Sequence, residues 1–136
     1  MSQNKVILLL GTNLGDKNKN LERAKTIINS EIGFINKSSN ILENYAEGFT
    51  TKNLFLNQKI EIFTKFSPFE LLKRIKFIEN KMGRTYTIPF KDELYTDRII
   101  DIDILYFNNI FINSNRLKIP HEQNYTRTFV KSLIFY

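Results

Sequence analysis

The chain has no cysteine, which excludes a disulfide framework, a thiolate metal site and a cysteine nucleophile. It also lacks long hydrophobic runs. Val6 to Leu10 is too short for a signal peptide or a membrane span, and Gly11-Thr12-Asn13 follows at once. This reading expects a cytoplasmic protein with no membrane contact. Dense basic blocks are missing too. The chain carries 20 Lys and Arg against 14 Asp and Glu, a net charge of +6, but the cations are scattered. Such a surface favours anionic ligands in general and argues against a nucleic-acid partner. With no repeat, low-complexity tract or interdomain linker, the 136 residues read as one domain, 1–136.

The patterns that are present place the elements. Val6 to Leu10 is apolar throughout, as in a central strand buried on both faces. Asp16 can cap a helix running to about Glu31, with Leu21, Ala24, Ile27 and Ile28 inward and Gly33 as its stop. Phe34 to about Leu42 reads as a second strand. Asn44 to Asn53 is a polar loop. Phe55 to Phe63 alternates, with Leu56, Ile60 and Ile62 on one face and Phe55 and Asn57 on the other. Ser67-Pro68-Phe69-Glu70 has the form of a capping box with proline at the first helical position. Leu71, Leu72, Ile75, Ile78 and Met82 supply that helix's apolar stripe, and Gly83 ends it. After the polar segment 84–96 comes a strand through Phe107, then a short strand at Ile110 to Ile112. The order β-α-β-β-α-β predicts an α+β fold of the ferredoxin-like type, an antiparallel sheet with both helices on one face plus a C-terminal extension.

The last long strand carries the chemistry. In Arg98-Ile99-Ile100-Asp101-Ile102-Asp103-Ile104, the two acids are spaced i, i+2 and share one strand face, about 6.5 Å apart. Two such carboxylates can converge on a pair of Mg²⁺ ions holding a polyphosphate. The plainer alternative is a solvated strand face, but the flanking isoleucines speak against an exposed edge. Other candidates each have a bland counterpart. Arg84 could hold a phosphate and Glu79 a nucleotide, or the pair could simply decorate a helix end. His121 is the only histidine, and lone histidines are more often structural than catalytic. Arg116 and Arg127 flank it at a distance. Phe55 and Asn57 offer a ring and an amide suited to a planar heterocycle, or a chance alternation.

Taken together these segments resemble the 6-hydroxymethyl-7,8-dihydropterin pyrophosphokinase family. The resemblance is carried by Leu10-Gly11-Thr12-Asn13-Leu14-Gly15-Asp16, by Phe55-Leu56-Asn57, and by Glu79 with Gly83-Arg84. It continues through Arg98 to Leu105, then Arg116-Leu117 and Ile119-Pro120-His121. It implies transfer of pyrophosphate from ATP to the pterin, with release of AMP, in folate biosynthesis. It implies two Mg²⁺ on Asp101 and Asp103, with ATP as co-substrate. Arg84 and Arg98 would join those acids in catalysis. Glu79, Arg98, Arg116, Lys118, His121 and Arg127 would contact ATP, and Phe55, Asn57 and Phe129 the pterin. Loops around 44–53 and 84–96 would close over the ligands. The expected partners are these small molecules, on a monomer.

The chain departs from the family at several positions. Tyr86 stands where a second arginine is usual. Lys91 to Asp97 replaces a loop that normally carries tryptophan. Asn44-Tyr45-Ala46 replaces a Thr-Pro pair, and Lys118 a hydroxyl residue. The domain also reads as shortened at its C-terminus. A degenerate, inactive homologue and a Mg-dependent nucleotidyltransferase are the alternative readings. A non-enzymatic RNA-binding domain would need aromatics on adjacent strands, and Phe55 is only one.

Overall fold

The structure is a computed structural model, and it describes residues 3–44, 54–83, 98–122 and 128–135. β1 (Asn4–Thr12) leads into α1 (Lys17–Glu31), followed by β2 (Gly33–Ser38), β3 (Leu42–Asn44) and β4 (Phe55–Thr64). α2 (Pro68–Lys81) precedes β5 (Asp101–Phe107), β6 (Ile112–Asn113), β7 (Lys118–Ile119) and a short α3 (Thr128–Ser132). The main sheet has the order β2-β4-β1-β5, with β3 also paired to β4, and every pairing is antiparallel. Each β-α-β unit therefore leaves a gap that a strand of the other unit fills, as expected for the split arrangement. β6 and β7 form a separate two-stranded ribbon.

Alternation decides which side of the sheet each residue serves. Val6, Leu8 and Leu10 of β1 meet Ile60 and Ile62 of β4, Ile102 and Ile104 of β5, and the inner stripes of both helices in one core. Those stripes are Leu21, Ala24 and Ile28 on α1, and Leu71, Ile75 and Ile78 on α2. Both helices thus lie on one face. The opposite face is partly covered by α3, whose Val130 and the following Leu133 pack with Leu9 and Leu105.

Three local expectations change. Gly33 does not end α1 in a left-handed turn; Ile32 is the cap and Gly33 opens β2. A side chain there would put its Cβ 2.0 Å from the Phe63 carbonyl oxygen, so glycine permits the close approach to β4. Ser67 makes no side-chain cap bond, so the capping box is not formed, although Pro68 does occupy the start of α2. The expected single strand from Phe34 to Leu42 divides into β2 and β3, and both pair with β4. Gly83, at φ +99°, does end α2 in the left-handed region.

Candidate active site

The site is built across three strands on the face away from the helices. Gly11 of β1 lies opposite Asn57 of β4 and opposite Asp101 of β5, which puts the three residues in one row. The neighbouring row is Lys59, Leu9 and Asp103. The acids are therefore on one face, as the i, i+2 spacing predicts, while Ile102 and Ile104 between them are buried in the core. Partial burial lowers the pKa of Lys59 below the ordinary lysine value, and this cation shares the face with both acids.

Gly11 makes the row a seat. A Cβ there would fall 3.1 Å from Asn57 Oδ1, 3.6 Å from the Phe55 ring and 4.0 Å from Asp101 Cβ. Any side chain would fill the space those three groups surround. Asn57 is nearly buried, and its amide nitrogen donates to Asn44 Oδ1, which fixes the amide plane. Phe55 is half-buried on the same face. Phe129 packs against the Leu9–Leu105 cluster and so lies on this side of the sheet as well.

Arg98 stands at the entrance to β5. Its guanidinium lies 3.4 Å from Asp101 Oδ2, with side-chain exposures of only 13% and 28%. Its backbone is held twice by Asn13: the Asn13 N–H donates to Arg98 O at 3.1 Å, and the Arg98 N–H donates to Asn13 Oδ1 at 2.7 Å. Asn13 is buried. Asn20 in turn donates to Leu14 O at 2.7 Å and to Thr12 Oγ1 at 3.2 Å, tying the turn to α1. The glycine-containing segment after β1 thereby sets the position of an arginine 85 residues away. No local sequence signal announces that contact.

Glu79 is the fully buried acid of the site. Its Oε2 accepts from the Ile102 N–H at 2.9 Å, between the two aspartates, and its Oε1 lies 3.6 Å from Lys76 Nζ. The sequence suggested a nucleotide contact; the structure encloses this carboxylate beneath β5. His121 reaches the same strand through its backbone, donating its N–H to Leu105 O at 2.9 Å. The β1–β5 ladder shifts register between Ile7 and Leu8, beside Leu105. Lys118 is exposed on β7. The Arg116 guanidinium lies 5.5 Å from the Phe69 ring centre, at the opposite end of α2 from Glu79. Arg116 is thus not gathered with the acids in this structure. Arg84 and Arg127 lie outside the described residues, as do most of the two loops expected to close.

The donor set bears on the metal expectation. Among the described residues no three His, Cys, Asp or Glu side chains cluster to cage an ion. Two partly exposed carboxylates on one face instead fit Mg²⁺, which commonly takes one or two carboxylates and completes its shell with phosphate oxygens and water. No helix among the described residues is long and apolar enough to cross a membrane.

Residues 7–135 match the family model for 7,8-dihydro-6-hydroxymethylpterin-pyrophosphokinase (HPPK). The chain is 36% identical to the 2-amino-4-hydroxy-6-hydroxymethyldihydropteridine pyrophosphokinase of Bacillus subtilis, over 90% of this chain and 71% of that protein. It is 33% identical to the enzyme of the same name from Porphyromonas gingivalis, over 93% and 85%. The folic acid synthesis protein FOL1 of Dictyostelium discoideum is 37% identical over 93% of this chain, which spans 18% of that longer protein. A solved HPPK-DHPS structure in complex with substrates shares the fold at TM-score 0.66 and 17% identity, over 82% of this chain and 29% of that one. The chain belongs to the 7,8-dihydro-6-hydroxymethylpterin-pyrophosphokinase family.

Proposed function

We propose that the row Asn57–Gly11–Asp101, with Arg98 and Asp103, is where this chain carries out its family's reaction. That reaction transfers pyrophosphate from ATP to 6-hydroxymethyl-7,8-dihydropterin, giving the pterin diphosphate and AMP in folate synthesis. The observation that carries the assignment is one juxtaposition. A side-chain-free seat at Gly11 lies between a fixed amide and an aromatic ring on one strand and a carboxylate on another.

The residues divide the task. The pterin lies over Gly11, with Phe55 and Phe129 on its faces and the Asn57 amide reading its edge. This sets the hydroxymethyl group toward Asp101. Arg98 and His121 lie along β5, where the phosphates of ATP would sit. The pterin hydroxymethyl oxygen bonds to the β-phosphorus and gives up its proton to solvent, the bond from that phosphorus to the α,β-bridging oxygen breaks, and AMP leaves with that oxygen. Such a transfer asks for in-line positioning and charge neutralisation, not a protein nucleophile. Asp101 and Asp103 would hold two Mg²⁺, which supply much of that neutralisation when bound. Arg84, Arg127 and Lys118 would add phosphate contacts, and Arg116 would join them only by leaving Phe69.

The test is a reaction with ATP, Mg²⁺ and the hydroxymethyldihydropterin, followed by separation of nucleotides. AMP forming in proportion to pterin diphosphate supports the assignment. ADP as product, or AMP released equally without the pterin, refutes it. An inactive descendant would bind both ligands and release nothing.

A further inference from the structure

Glu79 is a charged side chain with no solvent exposure, in a protein that could have placed an apolar residue there. An ionised carboxylate is costly to bury unless its oxygens are well partnered. The partner explains the expense. Among the described residues β5 is an edge strand of the sheet, next to β1. An edge strand turns alternate N–H groups away from its neighbour, and a buried one must find an acceptor elsewhere. For Ile102 that acceptor is Glu79 Oε2, at 2.9 Å. Ile102 is the residue between Asp101 and Asp103, so this bond fixes the Asp101–Ile102 peptide at the centre of the strand segment that carries both acids. A carboxylate acceptor makes the bond charge-assisted and about twice as strong as a neutral one.

We propose that Glu79 is a positioning residue: by holding the Ile102 N–H it sets the separation and direction of the Asp101 and Asp103 carboxylates, and it does not touch the nucleotide. The proposal rests on the pyrophosphokinase reading for what the two acids do. Its geometry is independent of that reading. Glu79 comes from the last turn of α2, four residues before Gly83, so the brace also couples the end of that helix to the acid-bearing strand.

Two variants of the full chain separate the possibilities. Glu79→Gln keeps an oxygen acceptor of the same reach and removes the charge. Glu79→Leu fills the space and removes the acceptor. Each is followed by amide hydrogen exchange at Ile102 without metal or nucleotide, and by turnover against Mg²⁺ and ATP concentration. The wild type should protect the Ile102 amide most and Glu79→Gln, with a neutral acceptor, less; Glu79→Gln should lose less turnover than Glu79→Leu. In Glu79→Leu the amide should lose protection. Its turnover should fall about 10- to 100-fold, the range seen when groups that orient metal ligands are removed. The Mg²⁺ concentration for half-maximal rate should rise, with KM for ATP at saturating Mg²⁺ little changed.

Equal loss in both variants, or a rise in KM for ATP with Mg²⁺ dependence unmoved, overturns the proposal in favour of direct nucleotide contact. An unprotected Ile102 amide in the wild type overturns it as well. Should Glu79→Leu fail to fold, Glu79→Gln decides: protection and turnover that fall in step, or are both retained, support the brace, and full protection with lost turnover refutes it. A wild type that forms no AMP sinks the functional reading and leaves the Ile102 exchange result standing.

Discussion

The two faces of the central sheet are made by the same strands and do opposite work. On the helix side, Leu8, Leu10, Ile60, Ile102 and Ile104 are buried in one continuous core. On the other side, the residues one step along are Gly11, Asn57, Asp101 and Asp103, and α3 packs around Leu9 and Leu105. β5 shows the division most sharply, with Ile102 and Ile104 inward and Asp101 and Asp103 outward. The difference teaches that stability and chemistry are separated here by a single residue step. The inner face can hold the outer one rigid without sharing its side chains.

Substitutions on each face should therefore move different observables. The largest expected effect is on the inner face. Leu8→Ala removes a fully buried side chain. It should cost about 2–5 kcal/mol in chemical unfolding, with turnover per folded molecule preserved. A selective loss of turnover with unchanged stability would break the comparison. Asn13→Ala comes next, because it strips the acceptor from the Arg98 N–H. A fully buried unsatisfied N–H costs about 1–3 kcal/mol, and this part-buried one should fall at or below the low end of that range. Here the loss should appear both in stability and in turnover, since Arg98 pairs with Asp101.

Smaller effects sharpen the division further. Gly11→Ala intrudes on the outer seat only, with its Cβ 3.1 Å from Asn57 Oδ1. It should raise KM for the pterin about tenfold, or about 1.4 kcal/mol, with KM for ATP unmoved. Equal changes in both constants would argue that the seat belongs to neither face alone. Glu70→Ala should be the mildest. Its capping box is not formed, and its remaining bond is an exposed pairing with Arg74 at 3.4 Å. A thermal melt should show a change within about 0.5 kcal/mol.

Much of this was legible in the sequence because periodicity reports directly on faces. The alternation in β4 placed Leu56, Ile60 and Ile62 inward and Phe55 and Asn57 outward, and the structure keeps that division. The spacing of Asp101 and Asp103 gave their common face. The helix over Pro68–Lys81 was readable from its apolar stripe and from Gly83. What stayed hidden depends on pairing between distant segments. Gly33 looked like a helix stop because the nearness of Phe63 O is a tertiary fact. The bond from the Ile102 N–H to Glu79 has no periodic signature. Asn13 could be seen as part of a motif, but its hold on Arg98 required the sheet to be folded. Arg116 looked available for phosphate, and its stacking on Phe69 depends on how the β6–β7 ribbon lies against α2.

The most direct test of the division between faces is Asp101→Asn, followed on one preparation by AMP release and by urea unfolding. The amide is isosteric and can still accept a hydrogen bond from Arg98. Turnover should fall about 100-fold or more, while the unfolding free energy stays within about 1 kcal/mol of the wild type. Retained turnover, or a protein that unfolds as readily as Leu8→Ala, would contradict the account.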